Sequence, residues 1–140
     1  LLREIVAGRK LIRAVGYVVK SETALGEASF FEALTKTGIE LRSKDLQIYP
    51  GGAKKADWDV GLAVDAIRMA NFLDVVAIAS GDGDFLPLVE YLKWGLGRQV
   101  EIAAFGRNTS QKIREAADHF IDLEEIPKIV IRRNPTDAVK

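Results

Sequence analysis

The chain has 140 residues, and its 20 basic and 20 acidic side chains leave the formal net charge at zero, which weighs against a protein that coats duplex nucleic acid through charge alone. That length supports one domain at roughly 100–200 residues each, and 48% hydrophobic with 29% charged residues excludes a disordered or fibrous class. Without cysteine and with a single histidine, His119, the chain can build neither a disulfide framework nor a Cys/His zinc site, and no apolar run or leader pattern calls for a membrane, so a cytoplasmic protein is expected.

Residues 11–19 (LIRAVGYVV) are rich in β-branched and aromatic side chains and predict a strand; residues 21–27 read as a polar loop. Residues 28–37 predict a helix with Phe31, Leu34 and Phe30 on one face, stopped by Gly38. Two extended pieces follow at 39–42 and 46–49, and Pro50, Gly51 and Gly52 turn the chain. Asp57 caps a helix to about Ala70, with Leu62, Ala66 and Met69 facing inward. The run VVAIA at 75–79 lacks alternation and suits a parallel strand covered on both faces. A helix over 84–94 has Pro87 in its first turn, where a missing N–H costs little. A buried strand (100–105), a helix (110–117) and a short strand (120–123) complete the order, and residues 128–140 read as a frayed tail. Strands alternating with helices predict a three-layer, Rossmann-like α/β domain with a mainly parallel sheet. Ligands bind such sheets beyond the carboxyl ends of the strands.

Asp82 and Asp84 follow the strongest strand. If the loop stays extended, both carboxylates face one side, and Gly81 and Gly83 leave room for a ligand. The structural alternative makes Asp84 a helix cap and Asp82 an Asx-turn. Asp65 lies mid-helix among apolar residues, where Asp has poor propensity; Arg68, three residues on, could pair with it on a solvated face. Asp57 and Asp59 sit in a first turn that favours negative charge anyway. If Asp65, Asp82 and Asp84 converge, each pair of charges ~5 Å apart repels by roughly 3 kcal/mol at an effective dielectric of about 20. A cation must offset that cost. All-oxygen ligation suits Mg²⁺ or Mn²⁺, and such an ion can activate a water for hydrolysis of a phosphodiester.

The segments KKADWDVGLAVDAIRMA and DVVAIASGDGDFLPLVEYLKWGLGRQVEIAAFGRNTSQKIREAADHFIDL closely resemble the NYN domain, above all in SGDGDF at 80–85 after DWDVGLAVD at 57–65. The resemblance runs from Arg9 to Glu124, and is strongest to the LabA-like branch and its archaeal members of unassigned function. It implies a PIN-like α/β nuclease domain spanning 1–140, a metal-dependent ribonuclease, RNA as partner and a homodimer. A catalytically inactive RNA- or protein-binding module with the same fold is the other reading. The resemblance makes Asp65, Asp82 and Asp84 the metal-site acids and Asp59 a flanking acid, and gives Ser80 the small polar position that opens the loop. Family members begin with a strand ending in Asp-Gly-x-Asn, whose Asp completes the metal site. The chain shows no such segment, and its opening LLREI resembles the helix that follows that strand.

Further substrate contacts are expected from Arg107, Asn108 and Ser110, where the N–H groups of residues 106–110 could hold a phosphate. Simple helix capping by Thr109 or Ser110 explains the same letters. Lys54 and Lys55, with Arg9, Lys10 and Arg13, could line an RNA path or form an ordinary solvated face. Trp58 could stack on a base or pack on its own helix. Trp94 and Tyr91 read as core or interface residues, and His119 as a surface residue.

Overall fold

In the computed structural model, residues 1–20, 26–45, 50 and 57–127 are described, with the backbone alone of 47–48 and 54–55. The expected loop at 21–27 (apart from its last two residues), the turn after Pro50 and the tail at 128–140 lie outside them. Contacts gather into two compact units, Arg9–Ala66 and Leu1–Gly8 with the chain from Ile67 on.

Within Arg9–Ala66, strand β1 (Val15–Lys20) pairs in parallel with β2 (Glu40–Asp45), placing Tyr17 opposite Arg42 and Val19 opposite Lys44. The crossover is α2 (Glu27–Lys36). It ends as expected: Gly38 takes φ +93°, a left-handed conformation that suits glycine, and donates its N–H to the Thr35 carbonyl. Phe31 and Leu34 are half-buried, whereas Phe30 turns out to solvent. The first strand begins only at Val15, since Leu11 and Ile12 lie exposed ahead of it. Within the piece expected at 46–49, β3 (Gln47–Ile48) pairs antiparallel with an unforeseen β4 (Lys54–Lys55). The Asp57 side chain caps helix α3 (Asp59–Met69) by accepting the Asp59 N–H at 2.7 Å. Ala66 and Asp65 are buried, while Val60 and Val64 are exposed.

The second unit holds α1 (Leu2–Val6) and a parallel sheet in the order β5 (Val75–Ile78), β6 (Gln99–Ala104), β7 (His119–Asp122). The middle strand is buried from Val100 to Ala104, Glu101 included, as a strand covered on both faces requires. Val89, Leu92, Val100, Ile102 and Ile113 are wholly inaccessible and form the centre of the core. The helix expected over 84–94 divides into a 3₁₀ turn (Gly83–Phe85), α4 (Leu86–Glu90) with Pro87 in its first turn, and a π-helical turn (Tyr91–Gly95). Trp94 on that turn is 82% exposed and Tyr91 is also exposed, so neither belongs to the core. Helix α5 (Gln111–Ala116) returns the chain to β7. The amino ends of β6 and β7 are locked together: Asp118 donates its N–H to the Val100 carbonyl, and its carboxylate accepts the Val100 N–H, both at 2.8 Å. His119 is exposed at the start of β7, as expected. The fold is α/β with parallel sheets, and no helix among the described residues is long and apolar enough to cross a membrane.

Candidate metal centre

Residues 80–84 leave the carboxyl end of β5, where the parallel sheet directs ligands. Ser80 Oγ accepts the Asp82 N–H at 3.2 Å, and Asp82 Oδ1 accepts the Asp84 N–H at 2.9 Å. The Phe85 N–H returns to the Asp82 carbonyl at 3.2 Å. Asp82 is therefore the cap of the 3₁₀ turn, the role that sequence reading offered to Asp84. One Asp82 oxygen serves the cap. Both acids are exposed, and each offers a carboxylate oxygen within 4.8 Å of the other's. Two hard oxygen donors on one rigid turn match the preference of Mg²⁺ or Mn²⁺ and not that of zinc.

The space expected beside the two glycines is filled by protein. A Cβ on Gly81 would lie 2.7 Å from Thr109 Oγ1 and 3.0 Å from Thr109 Cα, and one on Gly83 would lie 2.9 Å from Ser110 Oγ. The glycines admit the neighbouring loop at the end of β6, and Ser110 donates its N–H to the Gly81 carbonyl at 3.0 Å. The phosphate cradle expected there is likewise engaged internally. The Gly106 N–H meets Asp122 Oδ1 at 3.2 Å, the Asn108 N–H meets the Phe105 carbonyl, and the Thr109 N–H meets the Gly106 carbonyl. Neither Thr109 nor Ser110 caps α5 with its side chain; the Thr109 hydroxyl donates to the Phe105 carbonyl at 2.7 Å. Arg107 pairs with Glu124 at 3.3 Å. Backbone N–H groups of Glu124 and Gly106 hold the Asp122 carboxyl below the usual carboxylate range, so these bonds persist to acid pH.

Asp65 sits in the other unit. It is 8% exposed, not on a solvated face. Its Oδ2 accepts the Tyr17 hydroxyl at 2.8 Å and also an Arg42 guanidinium N–H. Burial and then the bond to Asp65 push the Tyr17 phenol far above its ordinary value of 10. Sequence reading missed both partners. They lie 48 and 23 residues away in sequence, so no local spacing announces them; only the β1–β2 register brings Tyr17 and Arg42 side by side.

Trp58 packs on its own helix. Its indole stands where a Gly61 Cβ would be, at 2.7 Å, and its Nε1–H donates to the Val18 carbonyl at 2.9 Å. Tyr17 lies against it with ring centroids 5.3 Å apart. Lys44 Nζ and the Arg42 guanidinium approach the ring to 4.4 and 5.8 Å. Asp59 is half-buried in the first turn of α3. Arg13 is tied to Glu40 at 2.8 Å. The side chains of Lys54 and Lys55 lie outside the described residues.

The Tyr17–Asp65 bond stabilises the unit only while the phenol is protonated. That contribution is intact below pH about 10 and is lost as pH rises through the elevated folded value. An absorbance titration of phenolate is expected to show one tyrosine ionising well above the ordinary range, and Tyr17→Phe is expected to remove that late step. A late step that survives in Tyr17→Phe would contradict the assignment.

Residues 1–124 match the NYN domain family, and the match runs through both units. The chain is 25% identical over 112 residues to the low amplitude and bright protein LabA of Synechococcus elongatus, covering 74% of this chain. It spans 59% of that relative's length. A protein of unknown function from Vibrio parahaemolyticus has a crystal structure that superimposes with a TM-score of 0.77 at 32% identity, covering 86% of this chain and 75% of the other. Both relatives are bacterial, whereas the sequence resemblance pointed to archaeal members.

Proposed function

Because the chain belongs to the NYN domain family, we propose that it is a metal-dependent ribonuclease whose ion is held by Asp65, Asp82 and Asp84, with Asp59 assisting. The observation that carries this reading is the turn at the end of β5, which presents two exposed carboxylates within 4.8 Å of each other. Mg²⁺ or Mn²⁺ on these oxygens would supply an activated water and charge stabilisation for in-line hydrolysis of a phosphodiester. The protein's own part is positional. Ser80 and the Asp82 cap fix the turn, and the packing of Thr109 and Ser110 against Gly81 and Gly83 keeps it from moving. Arg107, exposed beside its partner Glu124, and Asn108, Ser110, Lys55 and Trp58 are the proposed contacts to RNA.

A second reading, a catalytically inactive RNA-binding module, draws on Asp65, whose carboxylate already has a cationic partner in Arg42. Mn²⁺-dependent cleavage of single-stranded RNA by the full-length natural protein separates the two. Cleavage that is lost in Asp82→Asn supports the nuclease. RNA binding without cleavage supports the module.

A further inference from the structure

We propose that the groove at the amino ends of β6 and β7 is a second contact for single-stranded RNA, at the opposite end of the sheet from the acid-bearing turn: the Trp94 indole stacks on a base and the Arg98 guanidinium takes the adjoining phosphate. The inference rests on RNA as the ligand proposed above, whether cleaved or only bound.

The groove lies wholly in the second unit. Lys93, Trp94, Gly97, Arg98, Gln99 and Asp118 line a space of about 410 Å³, within the roughly 300–1,000 Å³ of small-ligand sites. One wall is the π-helical turn, where the Leu96 N–H reaches back to the Tyr91 carbonyl at 3.0 Å. Such turns are rare and recur at functional sites. Gly97, at φ +69°, then reverses the chain, and Arg98 donates its N–H to the Leu92 carbonyl at 2.8 Å. These bonds fix the backbone on both sides of the groove.

Trp94 is the most exposed large apolar side chain among the described residues. Lys93 Nζ approaches its ring to 5.3 Å, and the rest of the indole is open to a stacking partner. The charges of the groove leave one cation over. Lys93 donates to the Ala116 carbonyl at 2.7 Å and pairs with Asp118 Oδ1 at 3.5 Å, while Asp118 Oδ2 holds the Val100 N–H. Arg98 is half-buried, donates its Nε–H to the Ala70 carbonyl at 2.7 Å, and has no acidic partner among the described residues. That bond orients the guanidinium, whose terminal N–H groups remain for a phosphate.

An aromatic platform beside an uncompensated cation is the combination that binds single strands. The openness of the site favours a strand over a free nucleotide. A free small ligand is typically buried by about 70–90% in its site, which an indole 82% exposed does not provide; a strand continues beyond the groove and is held elsewhere as well. The six residues of β6 set the two ends of the sheet about 20 Å apart, so the groove contributes affinity and not chemistry.

The test is binding of a labelled single-stranded RNA of about 12 nucleotides, without added metal, to the full-length natural protein and to its Trp94→Ala, Arg98→Gln and Arg98→Lys variants over a range of salt. Trp94→Ala is expected to weaken binding by about 5- to 150-fold, the loss of one base stack, with an unchanged melting temperature because the side chain is exposed. Arg98→Gln is expected to lower the slope of log affinity against log salt by about 0.7, one phosphate contact fewer, while Arg98→Lys keeps the slope. A merely structural Arg98 would move the melting temperature and not the slope. In the wild type, the Trp94 indole N–H signal in NMR spectra, identified by its absence from Trp94→Ala, should shift with RNA and not with AMP. A shift with AMP as large as with RNA would assign the groove to free nucleotides and overturn the strand. RNA affinity unchanged in Trp94→Ala would overturn the inference alone, and if that substitution also dissociates a dimer, the groove belongs to a second copy of the chain. A wild-type protein that binds no RNA would overturn the inference together with the RNA-directed reading.

Discussion

Asp82→Asn is expected to reduce Mn²⁺-dependent RNA cleavage by at least about 100-fold while leaving the fold intact. Loss of a residue that merely orients a metal ligand costs about 10–100-fold, so loss of a ligand's charge sits at or beyond the upper end. The substitution is clean because Asn caps a helical turn about as well as Asp. The bond from the Asp84 N–H to the side chain at position 82 therefore survives, and only the charge is removed. Asp82→Ala would confound the result by removing the cap as well. Asp84→Asn should behave alike, since the Asp84 carboxylate is exposed and has no hydrogen-bond or ion-pair partner among the described residues. Wild-type rates in both variants, with melting temperatures unchanged, would remove the turn from the chemistry.

Ile102→Ala is expected to destabilise the protein by about 2–5 kcal/mol, whereas Ile102→Val should cost only about 0.5–1.5 kcal/mol. Ile102 is wholly buried in the middle strand of the three-stranded sheet, between Ile78 on β5 and Phe120 on β7. Truncation there leaves a cavity bounded by strands that cannot collapse onto it without breaking their ladder. Urea unfolding should show a lower midpoint with an unchanged slope. A loss below about 1 kcal/mol for the Ala variant would mean that the sheet relaxes, against the packing described.

The acid-bearing turn was legible because its signals are local. A continuous apolar run must be a covered strand, and the glycines and acids directly after it must be its exit loop. Similar reasoning gave β6 and its burial, although one charged residue, Glu101, is buried with the apolar ones there. It also gave the inward residues of α3, since Ala66 is buried and Leu62 and Met69 are half-buried, whereas the apolar Val60 and Val64, off that spacing, are exposed. The role of Gly81 and Gly83 was misjudged for a different reason. A glycine signals close approach, but not by what, and here the visitor is Thr109 and Ser110 from a segment more than 20 residues on. The phosphate cradle failed similarly, since the acceptors of its Gly106 and Ser110 N–H groups, Asp122 and the Gly81 carbonyl, lie elsewhere in the chain. Asp65 stood out by its apolar neighbours, and it is indeed buried, but its partners come from two paired strands. Their register is a long-range property that no window of sequence contains.

Paramagnetic broadening by Mn²⁺ in amide NMR spectra tests the central claim most directly. Sub-stoichiometric Mn²⁺ is expected to erase the amide signals of residues 80–84 together with those of the helical turn carrying Asp65, and added Mg²⁺ to restore them. Broadening centred on other acids, or on one of these two segments without the other, would contradict the proposed metal site.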